Sequence, residues 1–385
     1  MSKPLRVAVV HKSFGLDGGT ERMTEALVRG LSARGHELHV FAGSVDPRFR
    51  RVRMAHFHPL GVGGPGGGLR ALRLLLSAAL RVRRSNYDVV LHMGRSGPLD
   101  VYRAGGGCHR TWYELLRQRL SGAKRALLGL SLRHRLALWH ERRALSRGLV
   151  VVPSELARQD LVTAYGALGG RAEVIPNGVD LDRFHPKTRQ LHFGEQREAL
   201  GVGPEELVML FVGSDAWRKG LDRTLAAFAR LAPRREELRL LVLGDDRRRA
   251  HWEAEAERMG VRSRVAFLAR YPAPEKVYAA ADLLVLPTRH DPFANVTLEA
   301  LGCGVPVVTT ATNGAATTLG AGPALAVVAD ADDADALAEA CDRLLQPAEM
   351  PQLRQAARET AERWGEGPFV DAWEALLTRI ARGRA

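Results

Sequence analysis

Cysteine is scarce in this chain. Cys108, Cys303 and Cys341 are scattered through 385 residues, odd in number and without the paired spacing of a metal knuckle. That pattern excludes a disulfide framework and fits a reducing compartment. Aromatic residues are also few, at 6%, and no recognition motif interleaves them with the basic residues. Nucleic acid is therefore not the expected partner, in spite of the basic charge. No run of about 18 apolar residues is present to span a bilayer. The N-terminus, MSKPLRVAVVH, passes directly into a short apolar run without a signal peptide, so a cytoplasmic chain is expected. Also missing is G-x-G-x-x-G after the first strand, and the second strand, ending HVFAG, offers no acid to hold an adenosine ribose. Both absences speak against a nicotinamide dehydrogenase.

What is there is apolar enough, at 46%, and long enough for two cores. The net charge of +13 favours an anionic partner, either a phosphorylated substrate or an acidic membrane face; a generally arginine-rich composition gives the same total. Short β-rich runs at 5–10, 37–42, 87–91, 148–152 and 172–175 alternate with helical patterns at 20–33 and 69–84. The glycine-rich stretch 61–68 reads as a loop, and Ser154 as a helix N-cap. Residues 112–147 read as mostly helical and carry nine Arg and Lys side chains among interleaved leucines. After a linker over 186–205 the rhythm restarts, with strands at 207–212, 238–243, 264–267, 283–286 and 305–309. The expected fold is α/β, with two Rossmann-like, doubly wound parallel sheets facing a cleft: a first domain over 1–185, a second over 206–365, and a final amphipathic helix, 366–385, packing back on the first. Ligands of such sheets bind beyond the carboxyl ends of the strands.

Three segments could carry chemistry at those ends. In HDPFANVTLEALGCGVPVVTT (290–310) a helix opens near Asn295. Its N–H groups and positive dipole end suit a phosphate, with backbone amides of Asn295, Val296 and Thr297 aimed at it. Glu299 stands one turn in, placed for ribose hydroxyls, and Asp291 precedes the helix, placed for a sugar. In FVGSDAWRKGL (211–221) a strand ends at Gly213 and Ser214, and Arg218 and Lys219 follow, two cations fit to neutralise a leaving diphosphate. In FGLDGGTER (14–22) Gly18 and Gly19 allow close backbone approach. Each segment alone also reads as an ordinary loop or solvated turn. Asp180-Leu181-Asp182 has the D-x-D form some transferases use for a metal, yet follows a Pro-Asn-Gly turn and reads as structural. His92 ends a strand, and Asp100 and His109 follow in positions that could face the cleft.

Taken together, GGTER, VIPNGVDLDRF, GSDAWRKGLDR, AAADLLVLPT and the D-x7-E stretch ending LEALGCGVPVVTT, in this order along nearly the whole chain, resemble glycosyltransferase family 4 with its GT-B fold. PLDVYRAGGGCHR and GVRSRVAFLAR are similar to its lipopolysaccharide core glucosyltransferase branch. The resemblance implies a retaining, metal-independent hexosyltransferase without a cofactor, taking glucose from a UDP-sugar to an anionic glycolipid. It places Arg218 and Lys219 on the diphosphate with Gly213 and Ser214 beside them, Glu299 on the ribose, and Arg270 at the base. Asp291, where the family has Glu, falls on the donor sugar, and Phe293, Ala294, Asn295, Val296 and Thr297 present amides. Gly18 and Gly19 approach the donor from the first domain. His92 and Asp100 are the candidates near the anomeric carbon, where the leaving diphosphate itself helps deprotonate the acceptor. The basic stretch 112–147 would meet acceptor phosphates or the cytoplasmic face of the inner membrane. Alternatives are an epimerase or hydrolase on the same scaffold and, more remotely, a nucleic-acid-binding protein.

Overall fold

The computed structural model describes residues 3–15, 18–46, 55–61, 67–94, 100–269, 271 and 273–383. The chain forms two compact units, one running up to Asn177 and rejoined from Glu366 onward, the other Gly178–Gly365.

The first unit contains β1 (Arg6–His11), α1 (Gly19–Ala33), β2 (Glu37–Ala42), β3 (Ala55–Pro59), α2 (Gly67–Arg81), β4 (Val89–His92) and β5 (Val101–Arg103). It continues with α3 (His109–Arg119), α4 (Gly122–Leu130), α5 (Leu132–Arg147), β6 (Leu149–Val152), α6 (Glu155–Tyr165) and β7 (Glu173–Val174). The second holds α7 (Lys187–Ala199), β8 (Leu207–Val212), α8 (Ala216–Lys219), α9 (Leu221–Leu231), β9 (Leu238–Leu243), α10 (Arg249–Arg258), β10 (Val265–Leu268) and α11 (Pro274–Ala280). There follow β11 (Leu283–Leu286), α12 (Asn295–Gly302), β12 (Val307–Thr310), α13 (Gly314–Leu319), β13 (Leu325–Val328), α14 (Ala334–Leu344) and α15 (Met350–Glu362). The last helix, α16 (Glu366–Arg382), belongs to the first unit.

Both sheets are parallel, in the orders β3-β2-β1-β4-β5-β6-β7 and β10-β9-β8-β11-β12-β13. The inner residues of strands such as RVAVVH, and LVMLFV along its whole length, are apolar because helices cover both faces. In each sheet the chain runs outward one way, returns to the middle and runs out the other way, so a switch point lies between β1 and β4 and another between β8 and β11. Crevices at such points, beyond the carboxyl ends, are where doubly wound sheets bind ligands.

The helix α16 packs Phe369, Val370, Trp373 and Leu377 against Met23, Leu27 and Leu31 of α1. The two helices approach so closely that a Cβ at Gly30 would lie 2.5 Å from Val370. Arg34 pairs with both Asp371 and Glu374 at 2.6 Å.

The stretch expected as a linker, 186–205, instead carries α7, part of the second unit. Its sequence, KTRQLHFGEQREA, is polar on most sides and shows no apolar stripe. What holds it is ionic: Arg189, Arg197 and, from α15, Arg354 converge on the buried carboxylate of Asp282 at 2.6–3.0 Å. Phe193 lies between the Arg189 and Arg197 guanidiniums at 4.2 and 4.3 Å. The unit boundary also falls at Asn177 rather than 185, since Val179 N–H donates to Trp364 O at 2.9 Å and so joins the second unit. Of the expected glycine loop, 62–66 lie outside the described residues, and Gly67 already opens α2. No helix among the described residues is long and apolar enough to cross a membrane.

Candidate functional site

At the β8–β11 switch point the chain leaves β8 through Gly213 and Ser214 into the one-turn helix α8. Gly220 ends that turn in the left-handed region, φ +83°, where a Cβ would stand 2.0 Å from Pro287 O. Only glycine permits both the turn and the approach. The loop after β11 is sewn to α8 in return. Arg289 N–H and Thr288 Oγ1 donate to Arg218 O at 2.8 and 2.9 Å, and Arg289 pairs with Asp222 while lying over the Trp217 ring.

This stitching brings both cations to one carboxylate. Asp291 Oδ2 accepts from Arg218 Nη1 at 2.9 Å and pairs with Lys219 Nζ at 3.0 Å. Its Oδ1 accepts from Phe293 N–H at 3.1 Å. Arg218 is further held by His290 O at 2.9 Å and Asp215 at 3.2 Å. Burial pushes the Asp291 carboxyl upward, but Lys219 and Arg218 together pull it well below the usual carboxylate range. Burial likewise opposes the charged Arg218, and Asp291 and Asp215 outweigh it.

Asn313, fully buried at the carboxyl side of β12, organises the helix opening beside these cations. Its Oδ1 accepts from Ala294 and Ala315 N–H at 3.3 and 3.0 Å, and its Nδ2 donates to Thr297 and Thr309 Oγ1 at 3.0 and 3.1 Å. Ala294 gives α12 no side-chain cap, and Thr297 N–H turns back to Ala294 O at 2.9 Å, so the helix opening around Asn295 and Val296 is the part suited to an anion. Glu299, one turn in and buried, takes a 3.0 Å bond from Tyr278 Oη, which orients one carboxylate oxygen.

The β1–β4 switch point carries a different set. His11 and His92 end their strands, both buried. His11 Nδ1 bonds Ser13 O, and burial holds its pKa below the ordinary histidine value. Gly18 and Gly19 open α1, and Glu21 in its first turn binds Lys12 Nζ at 2.9 Å and Ser13 Oγ at 3.2 Å. A Cβ at Gly18 would meet Glu21 Oε2 at 2.4 Å, so this glycine leaves space for that carboxylate.

Two expectations do not survive the geometry. Asp100 stands at the amino end of β5, where Oδ2 accepts from Val90 N–H at 2.9 Å and Oδ1 pairs with Arg84 at 2.5 Å. That is the edge of the sheet opposite to the carboxyl ends, and it removes Asp100 from the chemistry. His109 opens α3 and turns into the helical layer, its Nε2 3.1 Å from His134 Nδ1. Asp180 of the D-x-D accepts the N–H groups of Asp182 and Arg183, a turn. Arg270 lies outside the described residues.

Residues 17–183 match the model for Glycosyltransferase Family 4, and residues 192–364 match the model for Glycosyl transferases group 1. The chain belongs to glycosyltransferase family 4. It transfers a sugar from a nucleotide-sugar donor with retention of configuration, and its two parallel sheets form the GT-B fold. The transferase is 28% identical over 311 residues to the lipopolysaccharide glucosyltransferase WaaG of Escherichia coli K12, covering 77% of this chain and 78% of that one. It is 32% identical to a D-inositol 3-phosphate glycosyltransferase of Catenulispora acidiphila over 227 residues, 56% of this chain and about half, 52%, of that relative. The crystal structure of WaaG superposes with a TM-score of 0.80 at 26% identity, over 97% of this chain and 99% of that one. Anabaena HepE, solved with UDP and glucose, shares the fold at a TM-score of 0.73 and 18% identity, over 97% and 99%.

The transferase's switch-point groups include several that its sequence did not announce. Tyr278 and Arg289 act on partners 21–72 residues away, and no local pattern marks them, while Asn313 reads locally as the N-cap of α13 and only its bonds to Ala294 and Thr297 tie it to the site. His11 was legible in principle, as the last residue of the apolar run RVAVVH, where a polar group meets the carboxyl end of a strand.

Proposed function

We propose that this glycosyltransferase takes glucose from UDP-glucose and attaches it to a hydroxyl of an anionic glycolipid of the lipopolysaccharide-core kind. The observation that carries the reading is the paired Arg218 and Lys219 on Asp291 at the β8–β11 switch point, beside the uncapped first turn of α12.

A pyrophosphate is the anion this arrangement suits. Asp291 holds the two cations in place, and a diphosphate carrying more charge than one carboxylate would draw them to itself. Asp291 would then turn an oxygen to the hydroxyls of the sugar. Amides of the Phe293 to Thr297 stretch would meet the phosphates, those of Phe293, Ala294 and Thr297 only by giving up Asp291, Asn313 and Ala294 O, and Glu299, with one oxygen fixed by Tyr278, would accept from the ribose diol. As the glycosidic bond to phosphate breaks, negative charge grows on the leaving diphosphate, and Arg218, Lys219 and the helix end stabilise it more than they did the ground state. The departing phosphate oxygen takes the acceptor proton, and attack on the same face retains configuration. In this reading Gly18 and Gly19 approach the donor from the first unit, and His92, with His11 at the end of the neighbouring strand, lies near the anomeric carbon. Similarity to WaaG, whose name specifies lipopolysaccharide and glucose, supports the sugar and the acceptor class, and HepE holds UDP and glucose on the same fold.

Contact with an anionic leaflet is part of the proposal. Leu127, Leu130 and Trp139 of α4 and α5 are 64%, 71% and 55% exposed, among Lys124, Arg125, Arg133, Arg135, Arg142 and Arg143. Apolar side chains ringed by cations suit such a surface.

A thermal-shift panel of UDP, GDP, ADP and their glucose conjugates tests the donor, with stabilisation expected from the uridine pair alone. Incubation of UDP-glucose with and without a glucose-free core glycolipid tests the reaction. Donor consumption that ignores the acceptor would favour an epimerase or hydrolase instead. Flotation with vesicles should show binding to anionic lipid that salt reverses, and equal binding to neutral vesicles would remove the membrane part.

A further inference from the structure

A second group of chemically active side chains lies in the first unit, at the opposite edge of the sheet from the strand carboxyl ends. In the β2–β3 ladder His39 pairs with His56 and Phe41 with His58, while Arg6 of β1 pairs with Glu37. Strand side chains alternate, so Glu37, His39, His56 and His58 share one face.

Three donor atoms converge there. Glu37 Oε1 lies 2.8 Å from His39 Nε2 and 3.9 Å from His56 Nε2, and all three lie within 4.8 Å of one another. Ligand atoms about 2.0–2.1 Å from a tetrahedral ion are roughly 3.3 Å apart, and the two separations to Glu37 bracket that value. Small side-chain rotations would close the set. The remaining nitrogen of His39, Nδ1, stands 3.0 Å from His58 Nε2, with the two rings stacked. When His39 Nδ1–H donates to His58, the Nε2 lone pair is turned to the donor group. That is the outer-shell bond that fixes the tautomer of a metal-binding histidine. Glu37 and His39 already receive a cation: Arg6 Nε is 3.2 Å from Glu37 Oε1 and 3.4 Å from His39 Nε2. Arg6 is 47% exposed and has another seat, with Nη1 on Asn86 O and the guanidinium over Tyr87. It can therefore yield to an ion at little cost.

We propose that Glu37, His39 and His56 bind a divalent transition metal of the zinc class, with His58 orienting His39, and that the ion fastens the edge strand β3 to β2. Two imidazoles and a carboxylate suit zinc better than magnesium or calcium, which prefer oxygen, or Cu(I), which prefers sulfur. An edge strand is where a sheet gains most from such a clamp. The site serves stability, since it stands at the amino side of the strands, away from the His11–His92 edge.

The test uses the full chain, stripped with EDTA, desalted and titrated with ZnCl2 by calorimetry, with Co2+ absorption as a second readout. Wild type should take one zinc per chain, give the visible d–d bands of tetrahedral Co2+, and melt several degrees higher with zinc. His56→Ala, at an exposed strand position, should lose all three responses while melting normally without metal. His58→Ala should bind about tenfold more weakly or worse, as outer-shell losses do, and Arg6→Gln should bind more tightly. Equal zinc uptake by wild type and His56→Ala would assign binding to other histidines and overturn the proposal, as would wild type without tetrahedral cobalt bands.

Discussion

Lys219 and Arg218 share one carboxylate, yet their surroundings differ. Arg218 is tied to Asp291, Asp215 and His290 O, whereas among the described residues the ion pair of Lys219 is with Asp291 alone. Lys219 is therefore the more mobile charge and the more easily transferred to a diphosphate. Lys219→Ala should lower turnover about a hundredfold, a barrier increase of about 2–4 kcal/mol, by analogy with lost oxyanion donors. Steady-state rates with donor and acceptor decide it, and near-normal turnover would retire the role. Asn313 makes a separate case. Four bonds leave one amide, so Asn313→Ala strands buried partners at Ala294, Ala315, Thr297 and Thr309. A loss of about 2–4 kcal/mol in urea unfolding is expected, with weaker UDP binding because α12 loses its anchor. Unchanged stability would mean that water replaces the amide. The cations and carboxylates were legible because local pattern puts them at strand ends. Asn313 was legible only as the N-cap of α13, since its bonds to Ala294 and Thr297 at the opening of α12 join residues 16–19 positions apart.

Among the elements, α7 shows what an apolar periodicity cannot report. Its attachment rests on Asp282, buried, which accepts from Arg189, Arg197, Arg354 and the Val208 N–H. Burial, with Arg354 next, draws the Arg189 guanidinium down to about 10. Removing the carboxylate would leave three cations facing one another out of water. Asp282→Ala should cost about 3–5 kcal/mol, the range for breaking a buried pair, read as a lower denaturant midpoint. Replacement without loss would show that the arginines are held by carbonyls such as Ala279 O and Gly203 O alone. In sequence, Arg189, Arg197, Asp282 and Arg354 span more than 160 positions, so this helix reads as polar linker until the partners are brought together.

For the whole molecule, the same physics sets the response to acid. Asp291 has a folded pKa below the unfolded value of about 3.9. A depressed carboxylate stabilises the fold above its unfolded pKa, and the contribution is lost as pH falls toward the folded one. Asp291→Asn should therefore melt lower at neutral pH and lose less stability than wild type below about pH 4. Parallel pH profiles for the two would show that the ion pairs do not contribute. The amino-acid sequence by itself determined the two α/β series, most of their strands and the polar strand-end segments at 211–221 and 290–299, because apolar runs, helical spacing and strand-end polarity are local, but not β3, β5, α7 or β13. Tertiary structure alone decided which edge of the sheet each polar residue occupies, placing Asp100 at the amino side and His11 at the carboxyl side. It also decided that α16 meets α1 in particular, the capture of α7 by Asp282, and the meeting of Glu37 with His39 and His56. Parallel sheets pair strands that are distant in the chain, so register and crossover, which no local window contains, bring those groups within reach.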